Sequence, residues 1–346
     1  MKANLKIKKF GPIESLDIEI RKFNILIGPQ ASGKSTISKV LCIIHMFDYR
    51  MFTTNNKLTL ESVKQLLAYY RIENFYNNQT YWYFQDSVLK FKLENGIPSI
   101  EYLDNGIQPL PIDSYYFPAE RIALPMISES LFELNLTESS LPKYFLKFGR
   151  DFMIAKKNQK TFNLPLLDVH FEYIDGKNIV ILRNAKTFLL EETSSAIQSN
   201  LPLLVILEYP VNPASLFVIE ELELHNFPQL QKNLLYHLVQ RMQHPKLKPA
   251  YVMLPTHSPY LLSAANNLLF ASKVGNQNSP DTEKIINKKS WIKPEDFTAY
   301  YIKDGKAASI VDVETGLIHE NMLDSISDDL AMEFDRLMNL YNPAKA

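Results

Sequence analysis

Hydrophobic and polar residues alternate near the start of the chain with the period of a β-strand. Apolar side chains occupy every second position on both sides of the turn signal Gly11-Pro12, which predicts a half-buried antiparallel hairpin. The mostly apolar run 23–27 follows, and residues 35–47 then repeat apolar side chains at helical spacing. The N-terminal region therefore predicts a hairpin, a strand, a loop and a helix.

Strands and helices alternate again in the C-terminal half. Strands are predicted over 215–219 and 250–254, and helices over 228–242 and 260–265. Such alternation is typical of a parallel sheet flanked by helices, so the predicted fold class is α/β. The middle of the chain predicts a strand, a long helical region, short strands and a further helix, at 112–117, 127–157, 170–190 and 194–208. The tail 297–341 ends in a predicted acidic amphipathic helix.

The loop between the first predicted strand and helix carries a phosphate-binding pattern. It matches G-x-x-x-x-G-K-[S/T] in the strand–loop–helix context that this motif requires. Glycines let backbone amides approach an anion, the lysine reaches the β- and γ-phosphates, and the next hydroxyl ligates Mg²⁺. A glycine-rich turn that matches by chance is the alternative, and the flanking elements argue against it. The predicted ATP-binding residues are Gly28, Pro29, Gln30, Ala31, Ser32, Gly33, Lys34, Ser35 and Thr36, with Ser35 also a metal ligand.

Two carboxylates follow the apolar strand at 215–219. A buried strand that ends in Glu220 and Glu221 would deliver one acid to Mg²⁺ or its water and the next to the attacking water. We therefore predict Glu220 as the metal-associated acid and Glu221 as the catalytic base; a pair of solvated acids is the alternative. His257 follows the next strand and would face the same crevice, near the γ-phosphate or the water. A loop histidine with a local partner is its alternative.

Hydroxyl groups open the predicted helix at 194–208. Ser194, Ser195 and Gln198 stand where side chains and free backbone amides at a helix start would bind a phosphate. A simple N-cap uses the same residue types. From the residues alone, both interpretations of this segment therefore stay open.

Composition and charge limit the possible partners and the expected location of the protein. The chain has 346 residues and a net charge of −1, so its overall charge gives no attraction to nucleic acid or to an acidic membrane. The single cysteine, Cys42, excludes a disulfide within the chain, and no signal peptide is visible. Both observations favour a cytoplasmic location. No apolar run is long enough to cross a bilayer.

An aromatic cluster at 69–84 and two basic clusters raise nucleic acid as a partner. The aromatic side chains would form a stacking platform, but they lack interleaved Lys and Arg, which favours packing inside the protein. The basic clusters at 6–9 and 284–289 are typical of solvated surfaces. DNA is therefore a weakly supported partner.

Together these motifs resemble those of the ABC-type ATPases of the SMC/RecF class, and most closely the bacterial AAA-type ATPases related to the OLD family. The resemblance covers most of the chain and implies the ATPase part alone, without a nuclease domain. Besides the phosphate loop, the segments that carry it are, in the family's order, 10–13, 117–121, 194–198, 219–225 and 256–259.

The resemblance also implies a fold. It would be a P-loop NTPase head of the ABC type over 1–346, with a mixed central sheet flanked by helices, an N-terminal antiparallel β-subdomain and a helical lid. The nucleotide-binding core would comprise 1–50 and 209–346. An inserted β/helical segment would span 51–117, and the lid with its signature segment would span 118–208.

The implied mechanism is that of an ATP-dependent homodimer. Two heads would sandwich two ATP molecules, each held with Mg²⁺ on the loop of one head and capped by Ser194, Ser195 and Gln198 of the other. Glu221 would be the catalytic base and His257 the switch histidine. Such heads occur in DNA repair and anti-phage defence, often with a separate effector protein, and no membrane is implied.

Two departures from the family pattern bear on the hydrolysis rate. Ala196 stands where the signature segment usually has glycine, and its methyl group would hinder backbone approach to the γ-phosphate. The run 222–228 lacks the proline and second histidine typical after the two glutamates. A nucleotide-gated interaction module with little hydrolysis is therefore an alternative to an ATP hydrolase.

A P-loop phosphotransferase is a third class of function, and the two glutamates and Thr-His-Ser-Pro argue against it. Glu120 and Arg121 would lie near the family's Q-loop, where sheet meets lid.

Overall fold

The computed structural model describes residues 2–54, 58–103, 112–127, 141–209, 215–244, 251–319 and 331–338. Its strands are β1 (Ala3–Phe10), β2 (Ile13–Ile20), β3 (Phe23–Ile27), β4 (Tyr81–Gln85), β5 (Leu89–Glu94), β6 (Ile97–Tyr102), β7 (Asp113–Phe117), β8 (Thr161–Leu164), β9 (Val169–Ile174), β10 (Lys177–Leu182), β11 (Thr187–Leu189), β12 (Ser215–Ile219), β13 (Tyr251–Thr256), β14 (Phe297–Lys303) and β15 (Lys306–Ser309). Its α-helices are α1 (Lys34–Thr54), α2 (Leu60–Tyr69), α3 (Lys143–Asn158), α4 (Ser195–Glu208), α5 (Pro228–Met242), α6 (Pro259–Gly275) and α7 (Ser279–Ile285).

Short 3₁₀ segments connect several of these elements, at Glu73–Phe75, Ala119–Met126, Pro165–Leu167, Leu190–Glu192, Lys288–Ser290 and Pro294–Asp296. Residues 331–338 are helical, as predicted for the tail. Four parts of the predicted elements lie outside the described residues, namely 128–140 of the long helical region, 320–330 and 339–341 of the tail, and position 250 of a predicted strand.

The central sheet has the strand order β15-β14-β3-β13-β12-β7. All neighbouring pairs are parallel except β14 and β15, so the sheet is mixed, as predicted. Every residue of β12 and β13 is buried, which matches their apolar sequences, because a parallel sheet needs cover on both faces. Helix α1 packs across β7, β12 and β13. The phosphate-loop strand β3 therefore lies inside the sheet, between β13 and β14.

A second, antiparallel sheet has the order β2-β1-β4-β5-β6. The predicted hairpin forms its β1–β2 pair, with Phe10 opposite Ile13 at the turn. Strands from the range predicted as an insertion complete it, whereas β7 at the end of that range joins the central sheet. Trp82 and Phe84 are buried, and Trp82 packs edge-on against Phe10 at 4.9 Å between ring centroids. The packing interpretation of the aromatic cluster is confirmed for these two side chains.

The region predicted as a helical lid, 118–208, contains a third sheet beside its helices. The four antiparallel strands β11-β10-β9-β8 lie between α3 and α4 in the sequence. Short strands were predicted at 170–190, but β8 lies before that range, where no strand was predicted. The two-residue turn Asp175-Gly176 joins β9 to β10, and residues 183–186, which include the predicted turn Asn184-Ala185, join β10 to β11. The backbone φ is positive at Asp175, Gly176 and Ala185.

Candidate functional site

The phosphate loop is held in a conformation that two glycines make accessible. Gly28 has a φ of +156°, and a Cβ atom there would lie 2.1 Å from the carbonyl oxygen of Ile302 on β14. Gly33 has a φ of +103°, and its Cβ would lie 2.4 Å from the side chain of Ile13. The loop is thus wedged between β14 and the first hairpin, and neither glycine has room for a side chain.

Lys34 is the first residue of α1, and its side chain turns back over the loop. Its Nζ donates hydrogen bonds to the carbonyl oxygens of Gly28, at 2.9 Å, and Pro29, at 2.8 Å. Burial lowers the pKa of Lys34, while three nearby glutamates oppose that shift. The ammonium group is thereby fixed at the mouth of the loop, where the motif requires a cation for phosphate.

The loop, the two glutamates and the histidine share one cavity of about 580 Å³. Its lining includes residues 30–36 together with Glu220, Glu221 and His257. These predicted residues come from the ends of β3, β12 and β13, which are neighbours in the central sheet. The carboxyl ends of parallel strands meet at one edge of a sheet, and that is where ligands bind in α/β folds.

The turn after β12 places the two acids. The backbone amide of Glu220 donates to the carbonyl oxygen of Phe117 on β7, and that of Glu221 donates to Pro255 on β13, both at 3.0 Å. Glu221 has a φ of +45°, in the left-handed region that non-glycine residues rarely occupy. Burial, and next the charge of Glu223, raise the pKa of the Glu221 carboxyl group. A raised pKa makes the carboxylate a more effective proton acceptor at neutral pH.

Two buried polar atoms of the cavity residues make no hydrogen bond within the described structure. They are the hydroxyl oxygen of Ser32 and Oε1 of Glu220. Buried polar atoms normally have partners, so both are candidates for ligand contact. Phosphate oxygens would satisfy Ser32, and a Mg²⁺ ion or its water would satisfy Glu220.

A magnesium nucleotide therefore fits these residues. Within the described ranges, no group of three or more His, Cys, Asp and Glu side chains is arranged to hold a metal by itself. In nucleotide sites Mg²⁺ takes most of its ligands from phosphate and water. Ser35, which is exposed at the start of α1, and Glu220 would supply the contacts from the protein.

Glu223 belongs to the site but was missed from the sequence. Its Oε1 accepts a hydrogen bond of 2.7 Å from the backbone amide of His257. This bond ties the segment after β13 to the turn after β12, and so holds His257 beside Glu221. The only sequence signal was its position two residues after Glu221, which is also typical of a solvated acid.

Ser194, Ser195 and Gln198 do not line the cavity of their own chain. Ser194 occupies the N-cap position of α4 but makes no side-chain capping hydrogen bond, and both serines are exposed. The Gln198 amide group donates to the carbonyl oxygens of Glu191 and Thr193, at 3.0 and 2.8 Å. Gln198 thus stabilises the turn before the helix, and the two serines stand free at its exposed start.

A larger concavity, of about 760 Å³, lies on the exposed face of the N-terminal sheet. There Lys8 and Lys92 lie over the ring of Tyr81, at 5.7 and 6.0 Å from its centroid. Neighbouring strands thus supply the lysines that the sequence of β4 lacks. Acidic partners offset part of this charge, as in the 2.7 Å ion pair of Lys6 with Asp17. Such ion pairs reduce the attraction of this face for nucleic-acid phosphates.

Comparisons with known proteins give similarity only at the level of chain architecture. No protein-family model matches the chain, and no curated protein matches it significantly. Among solved structures, the SMC head domain from Thermotoga maritima is 12% identical, covers 90% of this chain and 98% of its own, and gives a TM-score of 0.43. The recombination mediator protein RecF is 10% identical, with coverages of 89% and 97% and a TM-score of 0.36.

A component of an ABC transporter complex from Clostridium perfringens is also 10% identical, with coverages of 98% and 96% and a TM-score of 0.36. At such identities and scores the likeness carries no functional argument, which rests on the site itself. None of the helices in the described part of the chain is long and apolar enough to span a membrane.

Proposed function

We propose that this protein binds and hydrolyses ATP as an ABC/SMC-like ATPase whose ATP-dependent dimerisation regulates a partner. The observation that carries the proposal is the convergence of three groups in one cavity. These are the phosphate loop with Lys34, the unpartnered carboxylate oxygen of Glu220, and Glu221, whose pKa is raised.

The residues of the cavity would divide the reaction between them. Lys34 would exchange its two carbonyl contacts for oxygens of the β- and γ-phosphates. Ser35 and Glu220 would hold Mg²⁺, which would neutralise phosphate charge. Glu221 would take a proton from the attacking water, and His257 would contact the γ-phosphate or that water.

A second copy of the chain would complete the site. Ser194 and Ser195 lie at the exposed start of α4, where free backbone amides and the helix dipole favour an anion. Their absence from the cavity of their own chain suits contact with the nucleotide of a partner. We place this homodimer in the cytoplasm, with a separate effector protein, in DNA repair or anti-phage defence.

Phosphate release from ATP, measured with Mg²⁺ across a range of pH, tests the proposed reaction. We expect Mg²⁺-dependent turnover that falls on acidification, because protonated Glu221 cannot accept a proton. Since the pKa of Glu221 is raised, the midpoint of this fall should lie above 4.5, the ordinary value for glutamate. Glu61→Gln, on the exposed surface of α2, serves as control and should keep the acid limb at the same pH.

The same pH profile of phosphate release decides between an ATP hydrolase and a nucleotide-gated interaction module. Tight ATP binding with no phosphate release at any pH would favour a nucleotide-gated module, for which the methyl group of Ala196 is the supporting observation. Turnover that persists unchanged down to pH 4.5, with circular dichroism showing a folded protein, would contradict Glu221 as the base.

Ser195→Arg tests the role of the helix start. The bulky cation should leave ATP binding by the monomer within about twofold, because Ser195 does not line its cavity. It should abolish the ATP-dependent dimer and with it most turnover. Mass photometry with and without ATP measures the loss of the dimer. Gln277→Arg, at an exposed position after α6, is the matched control, and a Ser195→Arg protein that still dimerises would contradict the sandwich.

A further inference from the structure

Arg121 is a fully buried cation beside the catalytic turn. It lies in the 3₁₀ segment Ala119–Met126, directly after β7, and its side chain has no exposed surface. Its Nη1 donates to the carbonyl oxygens of Glu220, at 2.6 Å, and Pro118, at 3.2 Å, and its Nη2 donates to that of Glu221, at 2.8 Å. Burying a cation costs free energy, so a buried arginine is expected to make specific contacts that compensate for this cost.

The guanidinium group grips two consecutive peptide groups of the turn. Glu221 lies between them, with its left-handed φ of +45°. Its own amide is held by Pro255, and its carbonyl oxygen also accepts from the amide of Leu224, at 2.9 Å. Each peptide group flanking the Cα atom of Glu221 is therefore fixed, and the guanidinium group holds the two carbonyls through two different nitrogens of its planar fork.

Arg121 fixes the turn without occupying the acids. Three glutamates lie near enough to influence its charge, and burial lowers its pKa to about 10, which leaves it protonated at neutral pH. Among the described residues its guanidinium nitrogens nevertheless donate only to backbone oxygens, and its Nε makes no hydrogen bond. The carboxylates of Glu220 and Glu221 thus stay available to metal and water.

The backbone segment that carries Arg121 is itself held in place. The segment Ala119–Met126 follows β7, which pairs with β12 along its whole length, and it packs against α4. From this geometry we propose that Arg121 is a positioning residue for hydrolysis, which aims the carboxylate of Glu221 at the attacking water. The inference rests on the proposed function, since it presupposes that Glu221 is the base.

Arg121→Lys tests the inference, because an ammonium group keeps the charge but not the planar fork. We expect kcat to fall between about 10- and 100-fold, as expected for a misplaced catalytic group. The Kd for ATP should stay within about twofold, because the phosphate loop is untouched. Titration calorimetry and phosphate release measure the two quantities. Equal losses in affinity and rate, or no loss in kcat, would overturn the proposal.

Arg241→Lys is the matched control. Arg241 also donates to two consecutive carbonyl oxygens, those of Leu207 and Glu208, at 3.0 and 3.1 Å, but it does not line the cavity. It should show a comparable change in melting temperature with kcat within about twofold of wild type. A similar loss of kcat in both variants would mean that Arg121 serves stability alone.

The double variant Arg121→Lys, Glu221→Gln separates positioning from general damage. A residue that acts through Glu221 should cost no further rate once the carboxylate is gone, whereas a purely structural defect should lower the residual rate again. If wild type hydrolyses ATP and Glu221→Gln does not, normal turnover by Arg121→Lys refutes this inference alone. If wild type and Glu221→Gln behave alike, the proposed function itself fails. Should Arg121→Lys not fold, Arg121→Gln replaces it, and failure of both beside a folded Arg241→Lys would overturn the positioning role.

Discussion

Replacing Glu221 by Gln is expected to lower ATP turnover at least about a hundredfold, the typical contribution of a general base. The amide has the size of the carboxylate but cannot take a proton from water. Affinity for ATP should be retained or increased, because one negative charge is removed from a cavity that receives phosphates. Since bound ATP is then not consumed, the dimer should accumulate. Phosphate release and particle mass with and without ATP measure both effects.

A matched substitution far from the phosphate cavity calibrates this result. Glu61→Gln makes the same change of charge on the exposed surface of α2 and should turn over ATP like wild type. Undiminished turnover by Glu221→Gln would remove this residue from the role of base. A monomer in both conditions would contradict the ATP sandwich while leaving hydrolysis open to the rate measurement.

Replacing Lys34 by Ala is expected to weaken ATP binding about 10- to 100-fold, since a hydrogen bond to a charged group contributes about 1.5–3 kcal/mol. The ammonium is the buried cation at the loop mouth, and removal also leaves the carbonyl oxygens of Gly28 and Pro29 without their donor. Turnover at subsaturating ATP should fall at least as much. Calorimetric titration with ATP and Mg²⁺ measures the affinity directly.

Lys39→Ala is the control for this change. Lys39 lies on the same helix but does not line the cavity, and its ammonium group faces the rings of Tyr116 and Tyr144 at 5.9 and 5.2 Å. Its removal should leave the Kd for ATP within about twofold. An unchanged Kd in Lys34→Ala would mean that the loop does not bind the phosphates.

The sequence predicted the cavity where its groups are contiguous along the chain. The phosphate loop and the Glu220–Glu221 pair each combine an apolar strand with polar residues at its end, so their place at the sheet edge follows from short-range pattern. Arg121 and Glu223 act through contacts that no local pattern encodes. Arg121 binds carbonyl groups about a hundred residues away, and Glu223 binds the amide of His257 on another loop.

Element boundaries show the same division. Helix α5 begins and ends as predicted, at Pro228 and Met242, because a proline marks its start and one face is polar. Helix α6 extends to Gly275, far beyond the predicted 260–265, because buried residues continue at helical spacing after Ala265, at Leu268, Leu269, Ala271, Ser272 and Gly275, so the prediction ended the helix too early. The lysines beside Tyr81 were missed since they come from neighbouring strands and not from β4 itself.

The place of β3 in the central sheet has a consequence for synthesis of the chain. Its two neighbours are β13 and β14, which lie more than two hundred residues later. Residues 297–303 must therefore have left the ribosome before the strand that carries the phosphate loop can pair with both of its neighbouring strands. Contacts so distant in sequence form slowly, so the nascent N-terminal third has to wait with an apolar strand unpaired. The nucleotide site is consequently among the last parts of this protein to be assembled.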